Sequence, residues 1–184
     1  MEITGIGVLI ILAEIIMSGF WVPIYFQKGL PLYKKTRSYD NEDSALDIDV
    51  DALSNIFKRR LFQSIIFRSL SSNEIAFREK IFEFALMYYV PIMHGLIRID
   101  RTRMNVSLIG YVNWSIPISI AFFMNLYYSD SPFTRNSPMF IYFLLIVLLF
   151  SYFAQLRIFN KVFERVMKDY FTGSCLRSGT PQAG

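Results

Sequence analysis

One cysteine, Cys175, and one histidine, His94, are all that the 184 residues offer of the two most reactive side chains. A single cysteine excludes an intramolecular disulfide, and one of each excludes a Cys/His zinc site built within one chain. Hydrolase chemistry of the Ser-His-Asp kind would have to pass through His94. That residue has no Gly-rich nucleophile elbow near it and follows Pro91-Ile92-Met93 at the entry to a strand pattern. A lone histidine is more often a hydrogen-bonded structural residue than a general base. Cys175, beyond an amphipathic stretch, has no metal or redox partner beside it. A basic stripe is missing too: the formal charge is only +4, and most Lys and Arg flank apolar runs, which argues against nucleic acid as a partner. No internal repeat is evident, so an inverted-repeat transporter is not encoded in one chain. These shortages lead us to expect no enzyme, no cofactor and no metal.

What is present is apolar. Hydrophobic residues make up 53% of the chain, with eighteen Phe and eleven Tyr, yet 18% of residues are charged. A membrane protein carrying one modest polar domain fits both figures. Residues Pro138–Gln155 hold eighteen positions without a charge, close to the length a helix needs to cross a hydrocarbon core. Arg157, Lys161, Arg165 and Lys168 follow at once. A first span is expected over Thr4–Phe26, where Glu14 is the one interior charge. Its cost of about 2.5–3.5 kcal/mol is offset by the Ile, Leu and Val around it. Glu2 ahead of this run and Phe20-Trp21-Val22-Pro23 after it do not suit a cleaved signal peptide. A second span is expected over Gly110–Tyr128, softer because of Asn113, Ser115, Pro117, Ser119 and Asn125. Trp114, Tyr127 and Tyr128 sit at its ends as interfacial anchors.

Lys/Arg number thirteen over residues 28–108, five over 157–184, and one, Arg135, between the later spans. The positive-inside rule then puts the long loop and the C-terminus in the cytoplasm and the N-terminus outside, in a multi-pass cell-membrane protein.

Within the loop, Gly29–Asp51 reads as a polar linker whose carboxylates lead into a helix N-terminus. Its DIDVD run lacks the glycines and the distant Glu of a calcium loop. Ala52–Leu70 reads as a helix, with Leu53, Phe57, Leu61 and Ile65 at helical spacing and Lys58, Arg59, Arg60 and Arg68 as a basic side suited to anionic lipid or a partner. From Asn73 to Asn113 the period shifts toward two. Phe82, Phe84 and Leu86 alternate with Glu83 and Ala85, Ile97 and Ile99 alternate with Arg98 and Asp100, and Met104, Val106 and Leu108 alternate with Asn105 and Ser107. Asp100-Arg101-Thr102 is a hairpin turn between the last two runs. Leu156–Phe171 continues as an amphipathic helix with Phe159, Val162, Phe163 and Val166 on one side, and the Gly/Ser/Thr/Pro-rich end is expected to be disordered.

The expected fold is thus an α+β membrane protein with three transmembrane helices and a small cytoplasmic antiparallel sheet between the first and second. Its parts are a first helix at 1–27, the insert at 28–108, a helical hairpin at 109–156, and an amphipathic helix with tail at 157–184. Glu14, Ser18 and Ser119 form a membrane-embedded polar site, since Gly7, Ile11, Glu14, Ser18 and Trp21 share one helix face and Ser119 lies at matching depth. An ionisable residue inside a span is by default a functional candidate, although interhelical hydrogen bonding accounts for it without transport. The function expected is that of a membrane accessory or scaffold protein, its insert binding a partner or anionic lipid, with another membrane protein or a second copy as neighbour. The alternative is a small oligomeric channel or transporter subunit using Glu14.

Overall fold

The computed structural model describes residues 2–39, 48–57, 64–79, 91–128 and 138–172. The chain is α+β, built on one five-stranded antiparallel sheet of order β1-β5-β4-β3-β2. The elements in chain order are α1 (Glu2–Gly19), α2 (Pro23–Gln27), β1 (Pro31–Ser38), α3 (Val50–Ile56), β2 (Ile65–Ser71), β3 (Glu74–Glu79), β4 (Met93–Asp100), β5 (Asn105–Val112), α4 (Ser115–Tyr128) and α5 (Pro138–Val166), which runs on into a π-helical turn, Met167–Thr172.

Alternation assigns the faces of the sheet. Ile75, Phe77, Ile97, Ile99, Val106 and Leu108 point one way, onto Phe159, Val162, Phe163 and Val166 of α5. Ala76, Leu96, Ile109 and Tyr111 point the other way, onto Tyr25 and Phe26 of α2. Gly95 and Gly110 are cross-strand partners on the α5 side. A Cβ at Gly95 would fall 2.0 Å from the Phe77 ring, and one at Gly110 would fall 2.7 Å from Phe159. The two glycines therefore form a hollow in the sheet that two rings inclined at 65° fill, their centroids 4.9 Å apart. At the sheet's edge, β1 is fastened to α5 from above: Tyr33 Oη donates to Asn160 Oδ1 at 2.8 Å, and Lys35 and Arg37 both reach Glu164. These two cations hold the Glu164 carboxyl below the usual range.

Three transmembrane helices are not shown. Among the described residues one helical stretch, Tyr142–Phe171, is long and apolar enough to cross a membrane. The expected first span ends early. Helix α1 stops at Gly19, Trp21 takes a positive φ of 57°, and α2 turns Tyr25 and Phe26 into the sheet's second core. Among the described residues the apolar run of α1 that counts is Gly7–Gly19, shorter than a candidate span. The expected second span begins inside the sheet, because Gly110, Tyr111 and Val112 belong to β5 and pair with β4. The helix that follows, α4, begins only at Ser115, and its described part, Ser115–Tyr128, covers 14 residues.

Two further expectations change. Part of the supposed linker is edge strand β1, and the helix expected over Ala52–Leu70 is only α3, capped by Asp49, while Ile65–Ser71 forms β2. The alternating run at Phe82–Leu86 and the C-terminal tail lie outside the described residues.

Candidate functional site

A cavity of about 260 Å³ lies at the end of the sheet where β3 finishes, β4 begins and β5 finishes. Helix α1 closes it with Ile11, Glu14, Ile15 and Ser18, and the strand ends supply Arg78, Glu79, Met93 and His94. The polar groups around it are tied into a network. Glu14 is buried, and each of its carboxylate oxygens has a donor: Tyr25 Oη donates to Oε1 at 2.7 Å, and the Ser115 main-chain N–H donates to Oε2. Glu14 thus bridges α1 to α2 and to the first residue of α4, where a carboxylate suits the unpaired amides of a helix start. Burial first, and then the Glu14 charge and hydrogen bond, drive the Tyr25 phenol above its ordinary pKa.

Tyr25 stacks on His94 with centroids 4.3 Å apart. The His94 ring has an oxygen on each side, Asn113 Oδ1 at 3.0 Å from Nδ1 and the Tyr25 main-chain oxygen at 3.0 Å from Nε2. Asn113 cannot reverse its amide, because its Nδ2 donates to the Pro91 carbonyl at 2.8 Å. A neutral imidazole has one N–H and can serve only one of these acceptors. Even so, burial outweighs the pull of both acceptors and of Glu14, and the His94 pKa lies below its ordinary value.

Gln155 of α5 closes the other side of the strand ends. Its Oε1 accepts from the main-chain N–H groups of Ile92 and Met93 at 3.0 and 2.9 Å, while Nε2 donates to Glu79 Oε1 at 2.9 Å. Arg78, by contrast, has no carboxylate partner among the described residues. Its guanidinium lies over the Trp21 ring, 5.0 Å from the centroid, and its Nη1 makes a long hydrogen bond of 3.5 Å to the Glu79 carbonyl. Its Nε is buried and unsatisfied. Burial draws the Arg78 pKa down.

Of the sequence-derived site residues, Glu14 and Ser18 both line this cavity. Ser119 is half-buried in α4, and the residue of that helix that meets Glu14 is Ser115, through its main chain. Lys58, Arg59 and Arg60 lie outside the described residues, and Arg68 is exposed on β2 rather than on a helix. Sequence reasoning missed Tyr25, Arg78, Asn113 and Gln155 as site residues, while His94 is hydrogen-bonded as expected of a structural histidine. Among the described residues, no group of three or more His, Cys, Asp or Glu side chains could hold a metal ion. Comparison with protein families, with curated proteins and with solved structures finds no match.

Proposed function

We propose that the chain is a membrane-anchored accessory or scaffold protein, with α5 as its anchor and the sheet as a domain held at the cytoplasmic membrane surface to engage a partner protein or anionic lipid. The observation that carries this reading is the division of α5 into two unlike halves. Tyr142, Phe143, Leu145, Ile146, Leu149, Phe150 and Phe153 are each more than half exposed, although all are large and apolar. One or two turns later the same helix is buried in the sheet core through Phe159, Val162, Phe163 and Val166. An apolar surface of this extent is costly in water and free of cost in lipid. Arg157 and Lys161, exposed just beyond the apolar half, are placed to meet anionic headgroups. No hinge separates anchor from domain, so a partner bound to the sheet would be held at a fixed height above the bilayer.

The alternative, a subunit lining an ion pathway with Glu14, draws no support from the geometry, since Glu14 faces the end of its own sheet with both oxygens engaged.

Alkaline extraction of membranes tests the anchor. The native chain is expected to stay with the pellet, and the double substitution Ile146→Lys, Phe150→Lys to move it toward the supernatant, because each Lys mid-helix costs roughly 2.5–3.5 kcal/mol of insertion. Release of the native chain by alkali would end the proposal.

A further inference from the structure

Among the described residues, the guanidinium on the wall of the cavity at the end of the sheet is hydrogen-bonded to no carboxylate. Of the two carboxylates on the cavity walls, Glu14 is engaged on both oxygens, by Tyr25 and Ser115, and Glu79 on Oε1, by Gln155. Arg78 is the odd group, half-buried, with a buried Nε that no acceptor meets and an aromatic ring rather than a carboxylate against its plane. A buried guanidinium N–H that no acceptor meets is unfavourable, and the fork of donors the group carries matches one planar anion. The rest of the wall is apolar where Ile11, Ile15, Pro91 and Met93 line it. Its volume of about 260 Å³ equals that of roughly nine waters at ~30 Å³ each, room for a small organic molecule.

We propose that this cavity is a binding site for a short-chain amphiphilic monocarboxylate, the carboxylate forked on Arg78 and the alkyl tail laid along Ile11 and Ile15. The two acids on the same walls, Glu14 and Glu79, oppose added negative charge, and a doubly charged phosphate about twice as strongly as a monocarboxylate. An apolar tail is specified by the isoleucines of α1, for which a free inorganic anion has no use. Trp21, whose ring centroid lies 5.0 Å from the guanidinium carbon, gives the fork a cation–π contact on one side. The site stands on the cavity and on Arg78 alone, and does not depend on the membrane reading above.

The test is isothermal titration of the full chain, purified in an uncharged maltoside detergent, with hexanoate, hexanamide and inorganic phosphate as probes. Saturable hexanoate binding is expected, weakened ten- to hundredfold both for hexanamide on the native chain and for hexanoate on Arg78→Gln, the range that a charge-assisted hydrogen bond is worth. The amide comparison uses no variant, so it decides the matter even if Arg78→Gln fails to fold. Absence of saturable hexanoate binding at millimolar concentration would overturn the site, as would equal binding of hexanamide or unchanged binding by Arg78→Gln. Phosphate binding as tight as that of hexanoate would overturn the amphiphile assignment, because the tail would then contribute nothing.

Discussion

At the scale of single residues, His94 makes a prediction that no other side chain can obscure, since it is the chain's one histidine. Its folded pKa is lowered, chiefly by burial, whereas in the unfolded chain it returns to about 6.5. Between the two values the unfolded state binds the extra proton. Its contribution to stability is therefore complete above about pH 6.5 and is lost as pH falls through the folded value. Melting temperatures measured from pH 7.5 down to 5 should fall, and His94→Gln should flatten that slope. A native slope of the opposite sign would show that the acceptors on either side of the ring, and not burial, set its charge. Glu14 was legible in the sequence because an acid within an apolar run is conspicuous whatever the fold. Its partners were not. Ser115 is 101 residues away and Tyr25 is linked to Asn113 across 88, contacts that only the closing of the sheet onto α1 creates. Asn113 in particular was read as a polar blemish in a span, when it stands just beyond β5 and fixes the imidazole.

Among the elements, α5 shows how a single buried amide joins an apolar helix to a sheet. Gln155 is fully buried and satisfies two main-chain N–H groups of the β4 entry. Gln155→Leu keeps the volume and removes the acceptor, so both amides are left without it. The expected cost is about 2–5 kcal/mol, read as a lower denaturation midpoint in urea, whereas Gln155→Glu keeps the acceptor and is expected to hurt through charge repulsion with Glu79 instead. Equal stability of Gln155→Leu and the native chain would refute the joint.

The β4–β5 hairpin was legible because Ile97, Ile99, Val106 and Leu108 face one core and alternate cleanly with polar residues about a turn. The amphipathic stripe of Phe159, Val162, Phe163 and Val166 was legible for the same reason at the other period. Strand β1 was not, since an edge strand carrying Lys34, Lys35 and Arg37 has the composition of a loop, a common defence of exposed edges. Strand β2 was read as helix because Leu53, Phe57, Leu61 and Ile65 fit a 3.6 period, while the pairing of Ile65 and Phe67 with β3 lies outside local sequence. The second span failed because β5 is buried on both faces near its end, and a run buried on both faces resembles a membrane segment.

At the scale of the whole molecule, one core fixes what any topology must respect. The C-terminal half of α5 and the sheet share that core, and Glu164 of α5 is bonded to Lys35 and Arg37 at the opposite sheet edge from β2. Residues of the sheet domain and residues beyond the apolar half of α5 must therefore lie on the same side of a bilayer. On the membrane reading proposed above, the distribution of Lys and Arg, thirteen over 28–108 and five over 157–184, predicts that this side is the cytoplasm. Asn55 on α3 and Lys168 beyond α5 are both exposed and suit single-cysteine labelling, once Cys175 is changed to Ser. An impermeant maleimide should modify neither Asn55→Cys nor Lys168→Cys in intact cells, and both after permeabilisation. Modification of both in intact cells would reverse the orientation and leave the core unchallenged. Modification of one without the other would break the common core itself, because no arrangement of the anchor can then keep Phe159 and Phe163 packed on the strands they now cover.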